Sequence, residues 1–345
     1  MVVLLLGLPV LAAPENGQLP NVKILATGGT IAGAGVSSTQ TAGYRAAVAP
    51  VDALINNVPE LKKVANVSGE QISQIASENM TNEIWLKLGK RVNELLASPD
   101  VDGVVITHGT DTLEETAYFL NLVVKSDKPV VVVGAMRPGT SISADGPMNL
   151  YRAVVLAGSK EAVGKGVLVM LNDQINGARD VTKTNTSDTD TFKAPELGLL
   201  GYIQNETVSF YRQSTRKHTA SSEFNIMGLQ ELPRVDIVYG YANNTRVMMD
   251  ALINDGVKGI VHAGTGNGSF NANVKPAVEE ALKKGIVIVR SARVGNGIIT
   301  RGGEFDDDKY NTVVSDTLNS QKARVLLMLA LTKTNNPREI QRMFW

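Results

Sequence analysis

Cysteine is absent from all 345 residues. That excludes disulfides and thiolate metal sites, and it leaves oxidising and reducing compartments equally open. Histidine is almost as scarce. His108, His218 and His262 stand far apart in sequence, without the short spacings that zinc sites favour, so no metal and no cofactor is expected. Net charge is lacking too: 34 lysines and arginines face 34 aspartates and glutamates. With no summed positive field to gather nucleic acid or an anionic lipid surface, neither is expected as a partner. Internal repeats and low-complexity tracts are also missing. The leading apolar run, MVVLLLGLPVLAA over residues 1–13, falls short of the ~20 residues a membrane helix needs. It ends in small residues and turns polar at Pro14, Glu15 and Asn16, which fits the core and cleavage region of a signal peptide, although no basic segment precedes it. Export to the periplasm or the medium is the expectation, with no membrane association once the leader is removed.

The residues present describe a soluble globular protein, 43% hydrophobic and 20% charged, with length enough for two compact units. From residue 22 onward, short valine- and isoleucine-rich runs alternate with longer amphipathic segments, the pattern of an α/β fold with a largely parallel sheet. VKILA (22–26), VDGVVIT (101–107), PVVVVG (129–134) and GVLVML (166–171) lack polar alternation, as strands covered on both faces do. The spacing of Ile84, Leu88, Val92 and Leu95 predicts a helix from Thr81, its capping residue, to Ser98. A polar stretch over 211–232 breaks the alternation and reads as a linker between units at 20–210 and 233–345. After it VDIVYG (235–240), VKGIVHAG (257–264) and GIVIVR (285–290) read as strands, and 319–331 and 337–344 as helices.

In open α/β sheets, ligands bind beyond the carboxyl ends of the strands. Two such edges carry hydroxyl-rich loops. VKILA runs into TGGTIAG, where Gly28 and Gly29 permit a sharp turn that presents Thr30. The loop has neither the lysine and spacing of a P-loop nor the spacing of a dinucleotide fingerprint, which argues against a phosphate cradle. VVIT runs into HGTDT, which places Thr110 and Asp111 at a helix start. Backbone N–H groups there can stabilise a developing negative oxygen; equally, Thr110 and Asp111 can simply cap the helix.

ILATGGTIA and GVVITHGTDTL resemble the two signature motifs of the asparaginase family, each built around one active-site threonine, intact and in the expected order. TAGY (41–44), ASENM (76–80), AMRPGTSISADGPMNL (135–150), DVTKTNT (180–186), AGTGNGS (263–269) and the C-terminal helices extend the similarity over nearly the whole chain after the leader. The subgroup resembled is the exported type II enzymes, including glutaminase-asparaginases. The resemblance implies a larger N-terminal catalytic domain with a mainly parallel sheet and a smaller C-terminal flavodoxin-like α/β domain.

It also implies a reaction. Cleaving a side-chain amide needs a nucleophile, a route for its proton, donors for the oxyanion and an acid for the departing ammonia. By similarity Thr30 attacks and forms an acyl-enzyme, with Tyr44, on a flexible loop, activating and covering it. Thr110, Asp111 and Lys183 match the second catalytic group, in which a buried lysine beside a carboxylate polarises the threonine; burial lowers a lysine from its usual value of about 10.4. A direct attack by water activated at Thr110 is the other route, and the covalent one is preferred. Alone, Lys183 would read as a solvated surface lysine and Tyr44 as a packing residue.

Ser77 and backbone near Thr110 are implied to hold the substrate α-carboxylate, and Asp111, Glu78 and Glu304 its ammonium. Asn267 and Glu304 match residues that the family supplies from a neighbouring subunit, which implies a homotetramer of two tight dimers with shared sites. Glu78 stands where several relatives have glutamine, which leans toward activity on glutamine as well as asparagine. A periplasmic amino-acid binding protein would share the export signal, the two α/β domains and the ligand class, but would need no nucleophile. A serine–histidine hydrolase is excluded because no G-x-S-x-G elbow is present.

Overall fold

A computed structural model describes residues 18–345, so the expected leader at 1–13 lies outside the described residues. The first sheet is built from β1 (Asn21–Gly28), β2 (Asn66–Ile75), β3 (Gly103–Thr107), β4 (Val130–Val133), β5 (Val167–Leu171) and β6 (Gln174–Gly177), joined by β9 (Gly201–Gln204) and β10 (Thr207–Phe210). Between them, β7 (Thr182–Lys183) and β8 (Phe192–Lys193) form a separate two-stranded ribbon. The helices on this side are α1 (Val51–Asn56), α2 (Leu61–Val64), α3 (Asn82–Ala97), α4 (Leu113–Val123) and α5 (Gly146–Ala157). The second sheet takes β11 (Val235–Tyr239), β12 (Gly259–Gly264), β13 (Val287–Ala292) and β14 (Val313–Val314), with α6 (Val247–Asn254), α7 (Lys275–Lys283), α8 (Asp307–Tyr310), α9 (Ser320–Ala330) and α10 (Pro337–Phe344).

The larger sheet runs β10-β9-β6-β5-β4-β3-β1-β2, with β2 through β5 parallel and β6, β9 and β10 antiparallel. The smaller sheet runs β11-β12-β13-β14, all parallel. The molecule is therefore α/β with a mostly parallel N-terminal sheet and a separate C-terminal sheet. The parallel part of the first sheet has the order 2-1-3-4-5, which reverses direction between β1 and β3. At such a reversal the helices leaving neighbouring strands go to opposite faces and open a crevice above the strand ends.

Alternate residues of the apolar strands feed two cores. Leu25, Val104, Ile106, Val130 and Val132 pack with α3 and α4, while Ile24, Val105, Val131 and Val133 pack with α1 and α5. Burial on both faces is why these strands show no polar alternation. The first core continues through α9 into the second sheet, taking in Leu326, Val261 and Val289. α3 begins as its sequence predicts, with the Thr81 hydroxyl accepting from the Ile84 N–H. The polar stretch 211–232 is anchored at points along its length: Phe224 and Ile226 are buried, the Ser222 hydroxyl donates to the Leu122 carbonyl, and Lys90 donates to the Leu229 carbonyl. No helix among the described residues is long and apolar enough to cross a membrane.

Candidate active site

Thr30 and Thr110 leave the carboxyl ends of adjacent strands, β1 and β3, on either side of the crevice. The two turns touch backbone to backbone. A Cβ on Gly29 would lie 2.2 Å from the Gly109 Cα and amide nitrogen, and Gly29 has φ +81°, so only glycine fits. Gly109 in turn lies against Ser77, whose hydroxyl a Cβ there would meet at 2.6 Å. Gly29→Ala is expected to force the two turns apart. It should cost about 2–4 kcal/mol in thermal or denaturant unfolding and reduce turnover by about 10²-fold, the effect of a displacement near 1 Å. A variant as stable and active as the parent would show that this contact does not set the site.

Among the described residues, each threonine has one hydrogen-bond partner at its hydroxyl. Thr30, in a 3-10 turn and only 8% exposed, has its Oγ1 2.8 Å from the Tyr44 hydroxyl. Tyr44 is delivered by the loop over residues 33–45, which is tied down at several points. Ala34 and Arg45 form an antiparallel bridge, the Gly35 N–H donates to the Thr140 hydroxyl at 2.8 Å, the Gly139 N–H to the Gly33 carbonyl at 3.0 Å, and the Ile142 N–H to the Ser38 carbonyl at 2.9 Å. The loop is thus closed over Thr30, with Val36 standing 97% exposed on its outer side.

Thr110 Oγ1 accepts from Lys183 Nζ at 3.0 Å, and the same ammonium reaches Asp111 Oδ1 at 2.7 Å. A lysine that donates to the threonine oxygen leaves that hydroxyl's own proton free for another acceptor. The helix-capping alternative does not hold: α4 is preceded by Thr112, whose hydroxyl donates instead to the Ser77 carbonyl. Lys183 is less enclosed than expected, since its side chain is 18% exposed and that of Asp111 is 59% exposed. The Asp111 N–H donates to Ser77 Oγ at 3.1 Å, while the Thr110 N–H has no internal acceptor among the described residues and remains available to a developing negative oxygen.

Two buried residues hold these groups from behind. The His108 ring lies 2.7 Å from the Gly109 carbonyl through Nδ1 and 2.9 Å from the Thr116 hydroxyl through Nε2, and Trp85 donates to that hydroxyl at 2.8 Å. Burial pushes His108 down to about 4, so the ring is neutral near neutral pH. The Gly109 carbonyl can only accept, which places the ring proton on Nδ1, so Nε2 accepts from the Thr116 hydroxyl, itself an acceptor from Trp85. Lys322 of α9, fully enclosed, donates to the Arg179 carbonyl at 2.9 Å and to that of Val181, which fixes the approach to β7 and so to Lys183. Burial pushes this lysine down to about 8, against the pull of Glu114.

These groups line a cleft of about 560 Å³ together with Ser77, Glu78, Met136 and Arg137. Ser77 is buried and Glu78 exposed at the rim. Met136 and Arg137 follow β4, and their N–H groups are fixed by Asp145. They form a third strand-end loop to which the sequence reading assigned no role, although the run PVVVVG before it marks the edge. Asn267 and Glu304 are not in this cleft. They sit at the carboxyl edge of the smaller sheet, where Asn267 Oδ1 accepts from the Thr300 N–H at 2.9 Å and Gly303, next to Glu304, lies beside the Asn267 amide. A larger cavity of about 880 Å³ opens near the amino ends of β11, β12 and β13, but it pairs no hydroxyl with an activating group.

The family model described as "Asparaginase, N-terminal" matches residues 21–216, and that described as "Glutaminase/Asparaginase C-terminal domain" matches residues 234–344. The chain is 57% identical over 333 residues to the L-asparaginase 2 of Bacillus subtilis (strain 168), an alignment that covers 96% of this chain and 88% of that relative. It is 54% identical over 347 residues to the glutaminase-asparaginase of Pseudomonas fluorescens biotype A, covering 99% and 96%. The same identity holds over 340 residues with a protein of Haemophilus influenzae named as a probable periplasmic L-asparaginase, again covering 99% and 96%.

Proposed function

Because the chain belongs to the asparaginase family, we propose that it hydrolyses the side-chain amide of L-asparagine to L-aspartate and ammonia, and that of L-glutamine to L-glutamate, with Thr30 as nucleophile. The observation that carries this reading is the pair of differently served hydroxyls at one crevice: Thr30 against Tyr44, and Thr110 against Lys183. Thr30 Oγ1 attacks the carboxamide carbon while its proton passes to the Tyr44 oxygen and the Tyr44 proton moves on toward the amide nitrogen. The C–N bond breaks, ammonia leaves, and an ester links Thr30 to the acyl group. Water then cleaves the ester and restores the hydroxyl. Thr110, its oxygen held by Lys183, turns its proton into the cleft, and its N–H is a donor for the oxyanion. Ser77 and the adjacent backbone receive the α-carboxylate; Asp111 and Glu78 face the ammonium, so a free amino acid is preferred over a simple amide.

Asn267 and Glu304 complete the site of a neighbouring subunit, in a homotetramer of two tight dimers. That neither lines this chain's own cleft supports that arrangement. The enzyme works in the periplasm or outside the cell, as the name of the Haemophilus relative suggests for that protein.

The test is ammonia release from both amides by the purified protein, with its mass determined in solution. Both amides are expected to be turned over by an assembled species. The ratio of kcat/KM for asparagine over glutamine is expected below roughly 10⁴, because an added methylene alone rarely discriminates by more than about 200-fold and Glu78 tolerates both. A fully active monomer would overturn the shared site, and a larger ratio would remove the reading of Glu78.

A further inference from the structure

The loops that carry Asn267 and Glu304 are held by a buried ion pair. Arg290 of β13 and Asp307 of α8 have no solvent exposure. Arg290 Nε donates to Asp307 Oδ1 and Nη2 to Oδ2, each at 2.7 Å, a fork-to-fork pairing. The remaining guanidinium protons go to backbone: Nη1 to the Asn267 carbonyl at 2.9 Å and the Gly268 carbonyl at 3.3 Å, and Nη2 to the Thr300 carbonyl at 2.9 Å. Asp307 also accepts from the Thr312 hydroxyl at 2.6 Å and from the Gly302 N–H at 2.8 Å.

The backbone at Asn267 and on the approach to Glu304 is therefore clamped from beneath by one pair of side chains. Apolar residues of equal volume could fill the space and often match a buried ion pair in stability. They could not hold three carbonyls of two separate loops in register, and a lysine would offer a charge without the fork.

We propose that Arg290, fixed by Asp307, is a positioning residue that presents Asn267 and Glu304 to the active site of the neighbouring subunit, so that its effect on the reaction is exerted in trans. This rests on the shared-site reading above. Loosening the clamp removes contacts to bound substrate without touching Thr30 or Lys183, so KM for asparagine is expected to rise by about tenfold or more while kcat changes by less than about threefold.

The test is subunit complementation. Thr30→Val subunits are co-expressed with Arg290→Gln subunits, and ammonia release is followed against asparagine concentration. In a mixed dimer the Arg290→Gln chain supplies an intact Thr30, and the Thr30→Val chain supplies an intact clamp. One native site then forms per mixed dimer, and a random mixture should show a component with the wild-type KM that carries about a quarter of the wild-type rate, beside the high-KM component of the Arg290→Gln homodimers. A parallel mixture of Thr30→Val with Asn267→Ala tests the shared site itself and should behave likewise.

If the Asn267→Ala mixture regains the wild-type KM and the Arg290→Gln mixture does not, the positioning role is overturned while the shared site stands. If neither does, the shared site fails. An unchanged KM in the Arg290→Gln homo-oligomer also overturns the proposal. Where Arg290→Gln does not assemble, Asp307→Asn, which keeps the shape and removes the charge, takes its place under the same criteria.

Discussion

Thr30→Val is expected to lower kcat/KM for asparagine by at least about 10⁴-fold, equivalent to roughly 5.5 kcal/mol of transition-state stabilisation, with no new slow phase. Valine keeps the shape and β-branching of threonine and removes only Oγ1. The site is a 3-10 turn in which Thr30 is 8% exposed and its hydroxyl has Tyr44 as its hydrogen-bond partner. Packing is preserved, so the melting temperature should move by no more than a few degrees, because an exchange of about 1 kcal/mol shifts a chain of this size only slightly. A direct attack by water at Thr110 predicts a different outcome, since the Lys183–Thr110 pair is left intact and a substantial fraction of the rate should survive. A residual rate above about a tenth of the parent would therefore remove Thr30 as nucleophile. An amino-acid binding protein would have no ammonia release to lose.

Which parts of this architecture were legible in the sequence depended on how local their physical signal is. The central strands β3, β4 and β5, and β1 from Ile24 onward, are buried on both faces and so appear as largely apolar runs without polar alternation. Helix α3 announces itself through one buried stripe and a threonine cap. Strand β2 does not: NVSGEQISQI is an edge strand with one residue fully buried, and its identity comes from parallel pairing with β1 some 45 positions away. The short antiparallel strands β6, β9 and β10 and the two-residue β7 and β8 offer too little length for any period to emerge. The site divides along the same line. Thr30 and Thr110 could be reached from the rule that ligands sit beyond strand ends, and the order 2-1-3-4-5 now explains why these two loops and not others form the crevice. Lys183 lies 73 positions from Thr110 and is brought there by a ribbon and by the buried Lys322. Only the resemblance pointed to it. Asn267 and Glu304 are likewise invisible to local chemistry, since their carbonyl and loop contacts are set by Arg290 from another strand.

Lys183→Met is expected to reduce kcat by about 10³-fold, near 4 kcal/mol, while leaving the fold almost untouched. The two effects separate because of where the charges sit. The Lys183 ammonium bridges Thr110 Oγ1 at 3.0 Å and Asp111 Oδ1 at 2.7 Å, but its partner carboxylate is 59% exposed. Water can solvate Asp111 once the lysine is gone, so the lost ion pair should cost stability no more than about 1 kcal/mol. The hydroxyl of Thr110 has no such substitute. Without a positive donor on its oxygen it is a weaker acid and is free to rotate, and the proton it turns into the cleft is no longer directed. Lys183→Arg should recover little, because the longer, planar guanidinium needs more room than the compact ammonium that reaches Thr110 Oγ1 and Asp111 Oδ1 from one point. Steady-state ammonia release and thermal melting on the same preparations check both halves: a kcat within tenfold of the parent would remove Lys183 from the chemistry, and a melting temperature lowered as much as by a core cavity would assign it to structure instead.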